Sequence, residues 1–455
     1  MNNLLRTLIS VVTFLMSTMV SAQSEKAPLG EAHGATAKPS VIIRPNIVLI
    51  MADDLGYGSL GCYGGQDFQT PHIDKLAADG MRFTDFHSNG PVCSPTRAAL
   101  MTGRYPQRCA WVSEEDLSPV FQEQRRQNPA QRWAWGIDSK EITIARLLHE
   151  AGYHTGLIGK WHLGYDVKFH PMNYGFDEFR GFMGGNVDYH SHVAGYGLKQ
   201  MDWWTGREIK NEAGYTTDLL TRYATDFIER NKQTPFFLYL AHGAPHDPWQ
   251  GRDQGKKKSP QETYLEMIRI LDESVGAVRE EIHRQGLEKN TLLIFCSDNG
   301  AAAPRGVKAN GRLRGKKANL LEGGHRVPFV AMRTGVIEPG SVSQQTAMTM
   351  DFFPTFLHLA GTNAPSGHSI DGMNLLPVLR NKTMADERTL HWRFGDDWAV
   401  RKGTWKLTGK AMKPDALVNL ADDLEEKTNR LSEQGKLVNE LFSVHLDWTA
   451  NTGDR

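Results

Sequence analysis

Four cysteines in 455 residues, Cys62, Cys93, Cys109 and Cys296, are too few for a disulfide framework. An exported chain is free to form one bridge, but cross-links do not hold this protein together. An excess charge is also lacking, since Lys plus Arg and Asp plus Glu both number 52. Any pull on anions must therefore come from local clustering, and no nucleic-acid partner is expected. There are no internal repeats, and beyond the N-terminus no apolar run approaches membrane-spanning length.

What is present begins with Met1-Asn2-Asn3-Leu4-Leu5-Arg6, an apolar run from Thr7 to Val20, and Ser21-Ala22-Gln23. A basic start, a short apolar core and small residues are the pattern of a secretory signal peptide over 1–22, cleaved after Ala22. An uncleaved N-terminal anchor is the alternative, and the run is short for one. A polar stretch with Gly, Pro and Ala over 23–40 reads as a flexible leader. The mature chain is expected to be exported, periplasmic or secreted, without a membrane span.

From Asn46 the chain alternates apolar runs with amphipathic helical patterns. Asn46–Ala52, His154–Ile158, Phe236–Leu240 and Leu292–Cys296 read as strands buried on both faces, and Cys296 as a core residue. Helices are expected at Pro71–Ala78 with Thr70 as cap, at Ile142–Ala151, at Thr217–Asn231 and along the Tyr264–Ile282 stripe. This grammar predicts an α/β fold, a large mostly parallel β-sheet sandwiched by helices, over 41–345. Residues 346–455 read as a smaller C-terminal α+β subdomain with a short antiparallel sheet. It holds a helix at Asp351–Ala360, strands near His391–Phe394 and Thr404–Leu407, and a closing helix near Gln434–Val444.

Ionisable groups recur just past the strand ends, the edge at which open α/β sheets bind ligands. Asp53-Asp54 and Asp298-Asn299 offer hard oxygen ligands that suit Ca²⁺ or Mg²⁺ better than Zn²⁺, though each pair alone is equally the mark of a turn or helix cap. Lys160 and His162 follow one strand in Gly159-Lys160-Trp161-His162-Leu163-Gly164, where a snorkelling lysine and a satisfied core histidine are the plain reading. His246 follows another, between Pro245 and Pro248, with His242 nearby as a supporting group. Cys93-Ser94-Pro95-Thr96-Arg97 opens a run of helix formers, so its cysteine lies where backbone N–H groups gather around an anion.

Cys-x-Pro-x-Arg at 93–97 resembles the site at which type I sulfatases, in the alkaline phosphatase superfamily, convert cysteine to formylglycine. Asp-Asp-Leu-Gly at 53–56, Gly-Lys-Trp-His-Leu-Gly at 159–164, Pro-His-x-Pro at 245–248 and Ser-Asp-Asn-Gly at 297–300 are similar to further segments of that family. A lysine five residues before Glu322-Gly323-Gly324 selects Lys317 over its solvated neighbour Lys316. The resemblance implies one calcium ion held by Asp53, Asp54, Asp298, Asn299 and the modified Cys93. It also implies a formylglycine-generating maturation enzyme as partner and a sulfate ester, here on a carbohydrate, as substrate.

The chemistry that follows explains the residue types. A sulfate monoester repels nucleophiles, so cations must neutralise its oxygens while an oxygen attacks sulfur. The hydrated aldehyde at Cys93 carries two hydroxyls: one takes the sulfuryl group, and deprotonation of the other expels sulfate and restores the aldehyde. The resemblance assigns Lys160 to sulfate oxygens, His162 to the base, His246 and Lys317 to the departing alcohol, and Arg97 to the formylglycine side chain. Trp203, Trp204 and Trp249 offer rings for sugars, or plain packing, and Gly184–His190 is placed on the substrate side. Asp423-Leu424-Glu425-Glu426 departs from the family's usual Asp-Pro-x-Glu. Two rivals remain: a phosphomonoesterase or phosphodiesterase on the same scaffold, and a non-catalytic binder of sulfated glycans whose cysteine is never converted.

Overall fold

The apolar runs assemble into one ten-stranded sheet, seen here in a computed structural model described over residues 44–109, 136–195, 199–255, 257–382 and 387–452. The signal peptide and leader lie outside the described residues. The sheet's strands are β1 (Asn46–Ala52), β2 (Met81–Phe83), β4 (His154–Lys160), β5 (Glu178–Phe182), β6 (Trp204–Thr205), β7 (Glu208–Ile209), β8 (Phe236–Ala241), β9 (Thr291–Ser297), β10 (Phe329–Met332) and β11 (Ser341–Ser343). Their order is β11-β2-β10-β9-β1-β8-β4-β5-β6-β7. The central five, β9-β1-β8-β4-β5, are parallel, so their C-terminal ends share one edge. Two short strands, β3 (Phe86–His87) and β12 (Ala347–Met348), pair separately.

β1 shows why both faces need covering. Ile47, Leu49 and Met51 enter one core and Val48, Ile50 and Ala52 the other, the period-two alternation of a strand with no wet side. The first core is closed by α2 (Cys93–Thr102), α3 (Ile144–Glu150) and α7 (Phe352–Ala360), the second by α1 (Pro71–Ala78), α4 (Thr216–Asn231) and α5 (Pro260–Arg284). The short helices α6 (Glu322–His325) and α8 (Leu376–Leu379) sit in connections. A four-stranded antiparallel sheet of β13 (Thr389–Phe394), β14 (Asp397–Lys402), β15 (Trp405–Lys410) and β16 (Lys413–Asn419) packs on α9 (Gly435–Thr452) through Trp398, Val400, Leu407 and Leu441.

Local expectations are amended in three places. Thr70 precedes α1, but its hydroxyl accepts from Gly61 N instead of capping the helix. The carboxylate of Asp272 on α5 takes the orphan amides of His72 and Ile73, a tertiary cap that no local pattern announces. The closing helix runs on to Thr452, because Leu441, His445, Trp448 and Thr452 continue its buried stripe past Val444. Cys62, Cys93, Cys109 and Cys296 are all free thiols.

Candidate active site

Four parallel strand ends and one helix start meet at this edge. Asp53 and Asp54 follow β1, Lys160 ends β4, His246 follows β8, Asp298 and Asn299 follow β9, and Cys93 opens α2. The strand ends are stitched by backbone bonds, Asp53 N to Ala244 O at 3.1 Å and Asp298 N to Ala52 O at 3.2 Å. Gly159 permits a close approach: a Cβ there would lie 1.8 Å from Ala241 O on β8. Asp54 and His162 hold φ of 63° and 53°, left-handed values that cost about 1 kcal/mol or more each in a non-glycine residue. At Asp54 that twist lets consecutive carboxylates face the same pocket.

The charges interlock. Asp53, Asp54 and Asp298 are completely buried. Lys160 Nζ donates to Asp53 Oδ2 at 2.7 Å, and Arg97 donates through Nη2 to Asp298 Oδ2 at 2.7 Å. The same guanidinium reaches the Lys160 carbonyl at 3.1 Å and the Tyr239 hydroxyl at 3.2 Å. Lys317 Nζ lies 3.1 Å from Asp54 Oδ1, 3.5 Å from Cys93 Sγ and 3.1 Å from His246 Nε2. Cys93 Sγ donates to Asp53 Oδ1 at 3.2 Å.

These neighbours set the protonation states. Burial pushes the Cys93 thiol well up, and Asp298 and Asp53 push the same way, so it stays neutral. Burial also opposes charge on Asp53, but Lys160, His246, Arg97 and Lys317 together outweigh it and hold that carboxyl far below the usual range. Asp298 goes the other way, raised by burial and by Asp53 beside it. His162 is kept neutral by burial and by the cations Lys160 and Arg97, with its Nδ1 buried and unbonded. His246 lies between two partners, its Nδ1 2.6 Å from Asp247 O and its Nε2 3.1 Å from Lys317 Nζ.

A Sulfatase family model matches residues 45–362, more than half of the chain and the span that carries every one of these side chains. The chain belongs to the sulfatase family. N-acetylgalactosamine-6-sulfatase of Rattus norvegicus is 37% identical over 406 residues, covering 86% of this chain and 76% of that protein. Steryl-sulfatase of the same organism is 34% identical over 427 residues, covering 77% and 73%. Among solved structures, Ps i-CgsB in complex with k-i-k-neocarrahexaose matches with a TM-score of 0.80 at 32% identity, covering 89% of this chain and 93% of that one. This sulfatase is thus a sulfuric ester hydrolase on the alkaline phosphatase superfamily scaffold.

Within it, Asp53, Asp54, Cys93, Arg97, Lys160, His246, Asp298, Asn299 and Lys317 form one connected network. His162 has no side-chain bond to it but lies near enough to feel Lys160, Arg97, Asp53 and Lys317. A Cβ on Gly185 would lie 2.8 Å from His162 Nε2, so the Gly184–His190 segment runs against that ring. Lys316 is exposed.

Other sequence expectations are corrected. His242 turns to Ser274 on α5, 2.9 Å away, and burial lowers its pKa to about 3, so it is a core histidine. Trp203 and Trp204 are buried, the former stacked on His192, and offer no face to a sugar. Trp249 is half-buried and packs edge-on to Tyr264.

Three contributors escape sequence reading. Tyr239 accepts from Arg97, and Ser297 Oγ ties Leu55 N to Asn299 O. Asp202 accepts from Met183 N and Gly184 N and so shapes the turn beside His162. Tyr239 sits in an apolar strand, and its two-residue offset from Ala241 at the strand end is the available signal.

Proposed function

We propose that this sulfatase cleaves sulfate monoesters on a carbohydrate, using a formylglycine made from Cys93 and a calcium ion. The supporting observation is the balance of buried charge. Arg97, Lys160 and Lys317 do no more than match Asp53, Asp54 and Asp298, so an anionic sulfate meets no surplus positive charge until a divalent cation joins.

The donor set fits such a cation. Three buried carboxylates supply hard oxygens, and Asn299 Oδ1 is buried without a hydrogen-bond partner. Asp53, Asp54, Asp298 and Asn299 would hold the ion beside residue 93. When bound, calcium supplies positive charge for the sulfate oxygens. Formylglycine supplies an oxygen nucleophile, which the buried and neutral thiol of Cys93 does not.

The remaining steps belong to the chain's own groups. Lys160, held by Asp53, presents its ammonium to sulfate oxygens. Neutral His162 accepts the proton that restores the aldehyde, and the Lys317–His246 pair delivers a proton to the departing alcohol. Arg97 acts largely by holding Asp298 and the Lys160 carbonyl in place. The carbohydrate reading draws on the relatives, one named for an N-acetylgalactosamine sulfate and one solved with a neocarrahexaose.

Mass spectrometry of the tryptic peptide Phe83–Arg97 from the native host tests the conversion, with the aldehyde form expected. A fully retained thiol there would favour the glycan-binder reading. Cys93→Ala should abolish aryl sulfate turnover with the melting temperature preserved, and aryl phosphate should be the poorer substrate for the parent. Undiminished turnover in that variant would remove Cys93 from the chemistry.

A further inference from the structure

The segment between the Asp298-Asn299 pair and the Glu322 helix is the most one-sided in charge near the pocket. Residues 301–321 contain six cations, Arg305, Lys308, Arg312, Arg314, Lys316 and Lys317, and no Asp or Glu, in a chain whose charges balance only when this segment is counted. A basic run is ordinarily just a solvated surface, and geometry decides otherwise here.

Both ends of the segment are anchored in the site. It leaves from Asn299, whose amide donates to Asp54 Oδ1 at 2.7 Å, and returns at Lys317, whose ammonium meets the other oxygen of Asp54 at 3.2 Å. Lys317 N donates to Ala301 O at 3.1 Å and closes the segment into an Ω-type loop. Asn310 staples its interior, accepting from Ala301 N at 3.0 Å and donating to Gly315 O at 3.1 Å. Ser59, five residues past Asp54, ties its tip through Ala309 O at 3.1 Å. The loop is therefore fixed beside the pocket before any substrate arrives.

Lys317 is committed to Asp54 and His246, but the other five cations of the segment are poorly neutralised. Arg305, Lys308 and Lys316 are exposed, and among the described residues no carboxylate lies within ion-pair distance of them. Arg312 has only Glu425 at 3.9 Å, and Arg314 spends one N–H on the Glu426 backbone carbonyl at 2.6 Å, which neutralises nothing. Cations carried on one loop with few counterions are an arrangement that an external polyanion relieves.

Resting on the sulfate-ester reading above, we propose that this loop binds sulfate groups of the same glycan other than the one being cleaved. The natural substrate is then an oligomeric, multiply sulfated carbohydrate, not a singly sulfated sugar. Remote sulfates dock on the loop and supply binding energy that a small ester lacks.

The test compares the intact parent with Arg305→Ser/Lys308→Ser/Lys316→Ser and, separately, Lys308→Glu. Fluorescence anisotropy follows a labelled heparin-derived hexasaccharide, its desulfated counterpart and a single-stranded oligonucleotide, while aryl sulfate turnover is assayed in parallel. The sulfated hexasaccharide should bind the parent with affinity that falls as salt rises, and the triple variant about tenfold or more weaker, with both turning over aryl sulfate equally. Lys308→Glu should weaken binding in the same direction. Equal hexasaccharide binding by parent and triple variant overturns the proposal, as does equal binding of the desulfated sugar or of the oligonucleotide. Should the parent leave aryl sulfate uncleaved, the proposed reaction fails, and the binding comparison still judges the loop.

Discussion

Lys160 concentrates the energetics of the pocket in a single side chain. It is fully buried, its ammonium lies 2.7 Å from Asp53, and that attraction outlasts the burial that opposes its charge. Lys160→Met should cost about 3–5 kcal/mol by stranding the Asp53 carboxylate, and should lower kcat on aryl sulfate by about a hundredfold or more. Adding Asp53→Asn should recover much of the stability in denaturant titrations but none of the turnover. A double variant no more stable than the single one would show the two groups to be uncoupled. Lys160 was readable in the sequence only because five motifs stood together. Nothing local distinguishes it from a snorkelling lysine, since the partner that gives it meaning is 107 residues away.

Among the strands and helices, the least anticipated feature is how the small sheet joins the large one. Lys406 on β15 is fully buried between Glu322 on α6, at 3.0 Å, and Glu426, at 2.9 Å, and its Nζ lies 3.1 Å from His325 Nε2. His325 in turn reaches His87 on β3 at 3.0 Å and stacks on Trp392 of β13. Glu426 belongs to the tail segment that departs from the family pattern, yet its carboxylate accepts from Glu322 N at 2.6 Å. Lys406→Met should leave two buried carboxylates facing one another and destabilise by about 3–5 kcal/mol, read as a lower denaturation midpoint with unchanged slope. An unaltered midpoint would mean the cluster carries no net weight. The parallel strands were legible as unbroken apolar runs, whereas β14 and β16, half polar and half buried, were not.

For the protein as a whole, two responses follow from the buried charges. Calcium should raise the melting temperature, since an ion bound only by the folded state adds about 2.7 kcal/mol at a hundred times its Kd. A chelator should reverse the shift, and a melting temperature indifferent to both would count against the ion. Acid should destabilise. Burial lowers His391 to about 3 and His445 to about 4, against about 6.5 when unfolded. Below 6.5 the unfolded chain therefore binds more protons, and stability falls as pH drops toward 4. Asp298, raised by burial, works in the opposite sense, so the informative quantity is a difference in slope. His391→Gln should flatten the decline by up to about 1.4 kcal/mol per pH unit, measured by unfolding between pH 6.5 and 4.5.

The family of this sulfatase was legible from linear order because motifs at strand ends are local objects. A buried parallel strand needs an apolar run, Cys-x-Pro-x-Arg is complete within five adjacent residues, and either pattern can be recognised without its distant partners. What waited for the folded chain were the relations between such objects. Asp272 capping α1, His242 turning into the core, Trp203 and Trp204 disappearing from the surface, and Tyr239 and Asp202 entering the site all depend on which elements pack side by side. Packing direction and the pairing of buried charges are set by contacts between residues far apart in the chain, and no window of sequence contains both members of such a pair.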